Sequence, residues 1–153
     1  MLTHQIRDLY LSNLNKLKEE ISAFKNALPA GRQETDLWHT QGDVKNSPGN
    51  LALHLTGNLN HFIGAQLGNT GYVRNRDKEF ADKNIAPEKI IAGINEAMEV
   101  VNTVLSKLTD DDLKKDYPIL FLNKQHTTGE ILFILYGHLN YHLGQINYQR
   151  RLL

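Results

Sequence analysis

TTGEILFILYGHLNYHLGQINYQRR, residues 127–151, contains the strongest helical pattern in this chain. Thr127 and Glu130 have the spacing of a capping box, in which each side chain bonds the other residue's backbone N–H at the start of a helix. From Ile131 onward, apolar residues line one side of a helix with a period of 3.6 residues. The stretch therefore predicts an amphipathic helix that runs almost to Leu153.

Three more amphipathic helices are predicted upstream. They cover residues 2–28, which Pro29 and Gly31 end, residues 47–68, and residues 87–108. The connection after the second helix is rich in charge and glycine, which predicts irregular structure. Long connections between amphipathic helices are typical of bundles with crossover links. We therefore predict an all-α fold, a four-helix bundle with long crossover connections, formed by one domain over residues 1–153.

The second helix contains internal glycines at positions 57, 64 and 68. Glycine lowers helix stability by roughly 1 kcal/mol relative to alanine. Close packing or a nearby ligand is therefore expected at these positions.

The composition excludes several classes of protein. Lys plus Arg and Asp plus Glu both number 17, so a zero net charge gives no support for sequence-independent binding to nucleic acid or to an anionic membrane. The absence of cysteine excludes disulfide scaffolds, thiolate metal sites and cysteine nucleophiles. No secretory signal and no apolar run long enough to span a membrane is visible, so a cytoplasmic location is expected.

Histidine is the residue type with the clearest chemical pattern, with seven in the chain. His138 and His142 are spaced i, i+4, so both imidazoles leave the last helix on one side, about one turn apart. Both directions fall inside the apolar arc, where a polar side chain needs a partner. One explanation is a metal ion, which two imidazoles at this spacing can bind. The alternative is a pair of hydrogen-bonded histidines in the core or at an interface.

A third imidazole is available on the second helix, where His54, Asn58 and His61 follow i, i+4, i+7 spacing. His54 lies deeper in the apolar run than His61, so we predict a metal site formed by His54, His138 and His142. Three protein ligands leave at least one coordination position open, which is typical of reactive rather than structural sites. His61 is a candidate for a supporting hydrogen bond, a helix–helix contact or a dimer contact, and Asn58 for a supporting hydrogen bond.

Neither histidine helix carries a carboxylate near its histidines, since the last helix has only Glu130 at its start. A general base would have to come from a loop, from His61 or Tyr141, or from water activated by the metal itself.

The connection between the second and third helices concentrates opposite charges at Arg74, Arg76, Asp77 and Glu79. The favoured interpretation is a network of mutually neutralising charges that orders the connection. The second interpretation is that Arg74 and Arg76 bind an anionic substrate.

The chain resembles the DinB/YfiT-like superfamily through NLALHLTGNLNHF, which contains His54, and YGHLNYHLGQ, which contains His138 and His142. The resemblance extends over essentially the whole chain, in the order helix, long loop, histidine helix, loop, helix, HxxxH helix. It implies a four-helix bundle with a three-histidine metal site, and it also points to a homodimer. Residues 48–80 and the HxxxH helix look like one branch of this superfamily that has no assigned function.

The resemblance implies two kinds of function. Characterised relatives include thiol S-transferases and a thiol-dependent isomerase, in which a divalent metal activates a low-molecular-weight thiol, and others are known as metal-dependent hydrolases. The first hypothesis is therefore a metal-dependent transferase or hydrolase that acts on a small electrophile. The second is a non-catalytic, dimeric, stress-associated bundle that binds a metal or another ligand. Three imidazoles suit zinc, nickel, iron or copper.

Overall fold

A computed structural model describes residues 1–153, and its secondary structure is helical with no β-strand, as predicted. The predicted second helix is continuous to Gly68, because its α-helical part Pro48–Leu59 continues through a π-helical segment, Asn60–Ala65, into the short α-helix Gln66–Gly68. No helix combines the length and the apolarity that crossing a membrane requires. In chain order the α-helices are α1 (Leu2–Ala23), α2 (Pro48–Leu59), α3 (Gln66–Gly68), α4 (Arg76–Ala81), α5 (Pro87–Leu105) and α6 (Thr128–Arg151).

Four long helical segments form the predicted bundle around one apolar core. Helices α1 and α2 lie at opposite corners, and each packs against both α5 and α6. Helices α1 and α6 run in one direction, and α2 and α5 run in the other. The contacts that fix these directions are Arg7–Ser106 and Lys18–Asn95 between α1 and α5, Tyr10–Leu132 and Glu20–Asn147 between α1 and α6, and Gly64–Val100 and Gly68–Val104 between the continuation of α2 and α5.

The connection 69–86 returns along α2 because α2 and α5 are parallel neighbours. In the first turn of α2, Asn50 donates through Nδ2 to the carbonyl oxygens of Glu79 and Asp82, both at 2.9 Å. These bonds hold α4 against the N-terminal half of α2. The prediction of irregular structure was wrong for residues 76–81. Asn75 begins α4 by accepting a hydrogen bond from the Lys78 backbone N–H, a capping signal that is visible in the sequence.

The ends of the long helices follow local chemistry at most positions. The side chains of Ser47 and Thr127 accept the predicted capping hydrogen bonds at the starts of α2 and α6. The predicted end of α1 was too late, because the helix stops at Ala23 rather than near Pro29. Phe24 adopts an extended backbone conformation there, and its ring is buried in the core.

Two of the glycines in the second helix allow α5 to approach closely. A Cβ atom on Gly68 would lie 2.4 Å from Cγ2 of Val104, and one on Gly64 would lie 3.0 Å from Cγ1 of Val100. The expectation of close packing at these positions is confirmed.

Candidate metal centre

The three predicted histidines meet between the antiparallel helices α2 and α6. Nε2 of His138 lies 3.1 Å from Nε2 of His54 and 3.0 Å from Nε2 of His142. All three ligand atoms lie within 4.8 Å of one another. His54 is buried, and the other two are partly buried. The helix spacing and the packing together therefore aim three imidazole nitrogens at one point.

Hydrogen bonds on the far side of two rings determine which nitrogen carries the hydrogen. Nδ1 of His54 lies 3.0 Å from Oε1 of Glu79, and Nδ1 of His142 lies 2.7 Å from Oε1 of Gln145. Carboxylate and amide oxygens only accept, so both Nδ1 atoms donate and both Nε2 atoms keep a free lone pair. Two of the three converging nitrogens are thus held as metal-ligating tautomers.

His138 lies between these two lone pairs. Its Nδ1 atom is buried and has no hydrogen-bond partner. A neutral His138 ring carries one N–H. With the hydrogen on Nε2, the ring can bond only one of the two neighbouring nitrogens, and with the hydrogen on Nδ1 it has no acceptor. Since buried polar groups are normally paired, no protonation state of the imidazoles alone satisfies the cluster. A cation that accepts several nitrogen lone pairs fits these residues.

A carboxylate reaches this cluster from α4, although neither histidine helix supplies one. Glu79 is buried, and it accepts hydrogen bonds from Arg74 through Nε at 2.9 Å and Nη2 at 2.8 Å. Nη2 also lies 3.2 Å from Nδ1 of His54, but the shorter contact of that nitrogen is with Glu79. The carboxylate therefore holds the His54 ring, and the arginine balances its charge. This arrangement fixes the orientation of a ligating histidine and raises its basicity.

Gly57 leaves the space that Glu79 occupies. A Cβ atom on Gly57 would lie 2.0 Å from Oε2 and 2.7 Å from Cδ of Glu79. Gly57 follows His54 by three residues and so lies on the same side of α2. The remaining glycine of the second helix, Gly57, is therefore explained by the Glu79 carboxylate behind His54. The sequence alone does not connect Glu79 with the site.

Burial lowers the pKa of all three histidines. For His138, burial and the neighbouring charges of His142, His54 and Arg74 lower the pKa to about 4. Burial also lowers the pKa of His54, against an opposing effect of Glu79, and that of His142, against an opposing effect of Gln145. Neutral imidazole is the form that ligates a metal, so the lowered pKa values favour the ligating form at neutral pH.

Asn58 and His61 lie on the same helix as His54 but have different surroundings. Asn58 is buried, and its Oδ1 has no hydrogen-bond partner. His61 is outside the cluster and packs against the ring of Phe62, with a centroid distance of 4.7 Å. Burial and the charge of Arg74 lower the pKa of His61. A supporting role for either residue stays a prediction.

The two arginines of the connection have different partners. Arg74 is engaged by Glu79, as the charge-network interpretation predicted. The exposed Arg76 lies over the ring of Phe80, 5.2 Å from its centroid, and that ring in turn packs against His54. An anion-binding role for Arg74 would have to compete with Glu79, and such a role for Arg76 stays a prediction.

A surface cavity of about 350 Å³ lies beside the cluster, at His142. Tyr141 lines it as well, is largely exposed, and packs its ring 5.2 Å from that of His142. Gln145, the residue that holds Nδ1 of His142, is a third lining residue. A small molecule in this cavity would therefore contact the exposed side of the histidine cluster.

Comparison with known proteins identifies one family. The profile described as "Protein of unknown function (DUF1572)" matches residues 5–153. The match includes α2, α4 and α6, which carry the histidines and Glu79. A search of curated proteins found no match to the chain.

Proposed function

This chain belongs to the DUF1572 family of proteins of unknown function, and we propose that it is a divalent-metal-dependent enzyme. The observation that carries the proposal is the convergence of Nε2 atoms from His54, His138 and His142, two of them held as the ligating tautomer by Glu79 and Gln145. Zinc, nickel, iron and copper all suit a set of three imidazoles.

The proposed reaction is attack on a small electrophile by a low-molecular-weight thiol or by water. A divalent metal, when bound, lowers the proton affinity of a thiol or water that ligates it. Glu79 and Arg74 would hold His54 in place, and the cavity beside His142 would take the electrophile. The resemblance to the DinB/YfiT-like superfamily supports a thiol S-transferase or a hydrolase, and we expect it to act in the cytoplasm.

A second candidate is a bundle that binds a metal or another ligand without turnover. It is favoured by the position of Glu79, whose two oxygens are engaged by Arg74 and His54. The three converging ligand atoms are all imidazole nitrogens, with no carboxylate oxygen among them to serve as a general base.

Metal loading followed by an activity assay distinguishes the two candidates. Protein stripped with a chelator is titrated with zinc, nickel or iron(II), and its metal content is measured by elemental analysis after dialysis. Loaded and stripped protein are then incubated with a panel of small electrophiles, with and without low-molecular-weight thiols.

We expect one metal per chain and product formation only with loaded protein. Dependence on the thiol identifies a transferase, and product without thiol identifies a hydrolase. Stoichiometric metal without turnover would favour the second candidate, whereas absence of metal binding would contradict the proposed metal site.

We expect the protein to release fewer protons when it binds zinc near pH 6 than three ordinary imidazoles would. Three ordinary imidazoles, with a pKa of about 6.5, would be mostly protonated there and would release about two protons in total. Because burial lowers the pKa of His138 to about 4, and lowers those of His54 and His142, the folded protein holds fewer protons to release. Calorimetric titration in two buffers of different ionisation enthalpy measures the number.

The same pKa shifts determine the sign of the pH dependence. A folded-state pKa below the unfolded value means that the unfolded chain binds protons first as the pH falls. The metal-free protein should therefore lose stability as the pH falls from about 6.5 to about 4. The metal affinity of the folded protein should fall only as the pH approaches the lowered folded-state pKa values, about 4 for His138. Release of about two protons on zinc binding near pH 6 would contradict the lowered pKa values of the three histidines.

A further inference from the structure

The outer side of α6 is an uncharged surface with exposed aromatic residues. No Asp, Glu, Lys or Arg occurs between Glu130 and Arg150. On the side that faces away from α1 and α2, Phe133, Tyr141 and Tyr148 are 60%, 64% and 67% exposed. We call this surface the α6 stripe; its residues, at steps of three and four, are Glu130, Phe133, Gly137, Tyr141, Gly144, Tyr148 and Arg151.

The two glycines of the stripe are not required by the fold of one chain. A Cβ atom on Gly137 or Gly144 would meet no atom within 4 Å, unlike one on Gly57, Gly64 or Gly68. Each glycine inside a helix costs about 1 kcal/mol relative to alanine. Close approach of another helix to the stripe would account for both.

When two copies of the stripe run in opposite directions, complementary residues lie opposite each other. In an antiparallel pair of α6 helices with the two-fold axis between positions 140 and 141, residues equally far from the axis face each other. Gly137 then faces Gly144 of the partner subunit, and Phe133 faces Tyr148 of the partner subunit. At each end Glu130 faces Arg151 of the partner subunit, so opposite charges meet at both edges of the uncharged surface.

The charged ends are placed to reach across such a pair. The side chain of Glu130 is 60% exposed, and it accepts the capping hydrogen bond from Thr127 through only one oxygen, Oε2. Arg151 is exposed, and its guanidinium carbon lies 5.7 Å from the centroid of the Tyr148 ring, at the end of the stripe.

We propose that the α6 stripe is a two-fold interface, at which α6 packs antiparallel against α6 of a second copy of this chain. A homodimer was expected from the sequence, and the structure points to its surface and register. Tyr141 lies at the centre of the stripe and also lines the cavity beside His142. The interface would therefore bring the second chain to the rim of each cavity.

Light scattering of the purified full-length chain at micromolar concentration tests the proposal. We expect a dimeric mass for the unmodified chain and a monomeric mass for Gly144→Lys, because two lysines would face two glycines across the closest approach. Lysine favours a helix more than glycine does, so helicity by circular dichroism should not decrease. The matched control is Gly93→Lys on α5, where a Cβ also meets nothing, and it should remain dimeric.

A charge exchange tests the register. Arg151→Glu should raise the dimer dissociation constant by about 10-fold or more, because two carboxylates then face each other at each end. The double variant Arg151→Glu with Glu130→Arg should restore the dimer. A monomeric unmodified chain, or a Gly144→Lys variant that dimerises as tightly as the unmodified chain, would overturn the proposal.

The interface and the metal centre are tested separately. The interface residues do not ligate the proposed metal, so a monomeric Gly144→Lys variant should still bind one metal per chain. Failure of the dimer proposal thus leaves the metal proposal intact, and failure to bind metal leaves the dimer proposal intact.

Discussion

His138→Ala is expected to abolish stoichiometric metal binding while the chain remains helical. Nε2 of His138 is the nitrogen that lies next to both others, at 3.1 and 3.0 Å. Dividing a binding free energy of about 10 kcal/mol among three ligands gives about 3 kcal/mol for one, or more than about 100-fold in affinity. Elemental analysis after dialysis and calorimetric titration with zinc measure the loss.

The other histidines provide the comparisons for this prediction. His54→Ala and His142→Ala should lose the metal in the same way, because each contributes one converging nitrogen. His61→Ala is the matched control, since His61 lies on the second helix, is partly buried and is outside the cluster. Unchanged metal content in His138→Ala, or equal loss in His61→Ala, would contradict the three-histidine site.

The choice of these three histidines was possible from the sequence because most of it required only local information. The i, i+4 spacing fixes the directions of His138 and His142 on one helix, and the depth of His54 in an apolar run predicts its burial. Their meeting also requires that α2 and α6 be neighbours. In a four-helix bundle that is a frequent outcome, and the family resemblance favoured it.

Glu79 could not be assigned to the site because its position depends on topology. Only the parallel arrangement of α2 and α5 forces the connection 69–86 to return along α2 and carry Glu79 to His54. The helical periodicity of a sequence gives no information about the direction in which a neighbouring helix runs. The early end of α1 has a similar origin, since the burial of Phe24 is a tertiary interaction that overrides the helical pattern extending to Leu28.

Gly57 did indicate a close approach near the site, although the sequence did not show which group approaches. A glycine three residues after a buried histidine implies that something approaches that side of the helix closely. The structure identifies that group as the Glu79 carboxylate, 2.0 Å from where a Cβ would lie. This role of Gly57 can be tested by filling the space.

Gly57→Ala is expected to lower both the stability and the metal affinity, although alanine is the better helix former. At an open helix position the change stabilises by about 0.5–1 kcal/mol, and Gly93→Ala, where a Cβ meets nothing, should show that gain. At Gly57 the new methyl group displaces the Glu79 carboxylate, so the partly buried Arg74 guanidinium and Nδ1 of His54 lose their partner. Breaking a buried ion pair costs about 3 kcal/mol.

The loss should appear in two measurements and should disappear when Glu79 is shortened. Denaturant unfolding in chelator should show Gly57→Ala destabilised by about 2–3 kcal/mol, and zinc titration should show an affinity about 10–100-fold weaker. In a Glu79→Ala background the carboxylate is absent, so adding Gly57→Ala should be neutral or stabilising, as at Gly93. The same cost of Gly57→Ala in both backgrounds would mean that Gly57 does not act through Glu79, and the link between this glycine and His54 would be wrong.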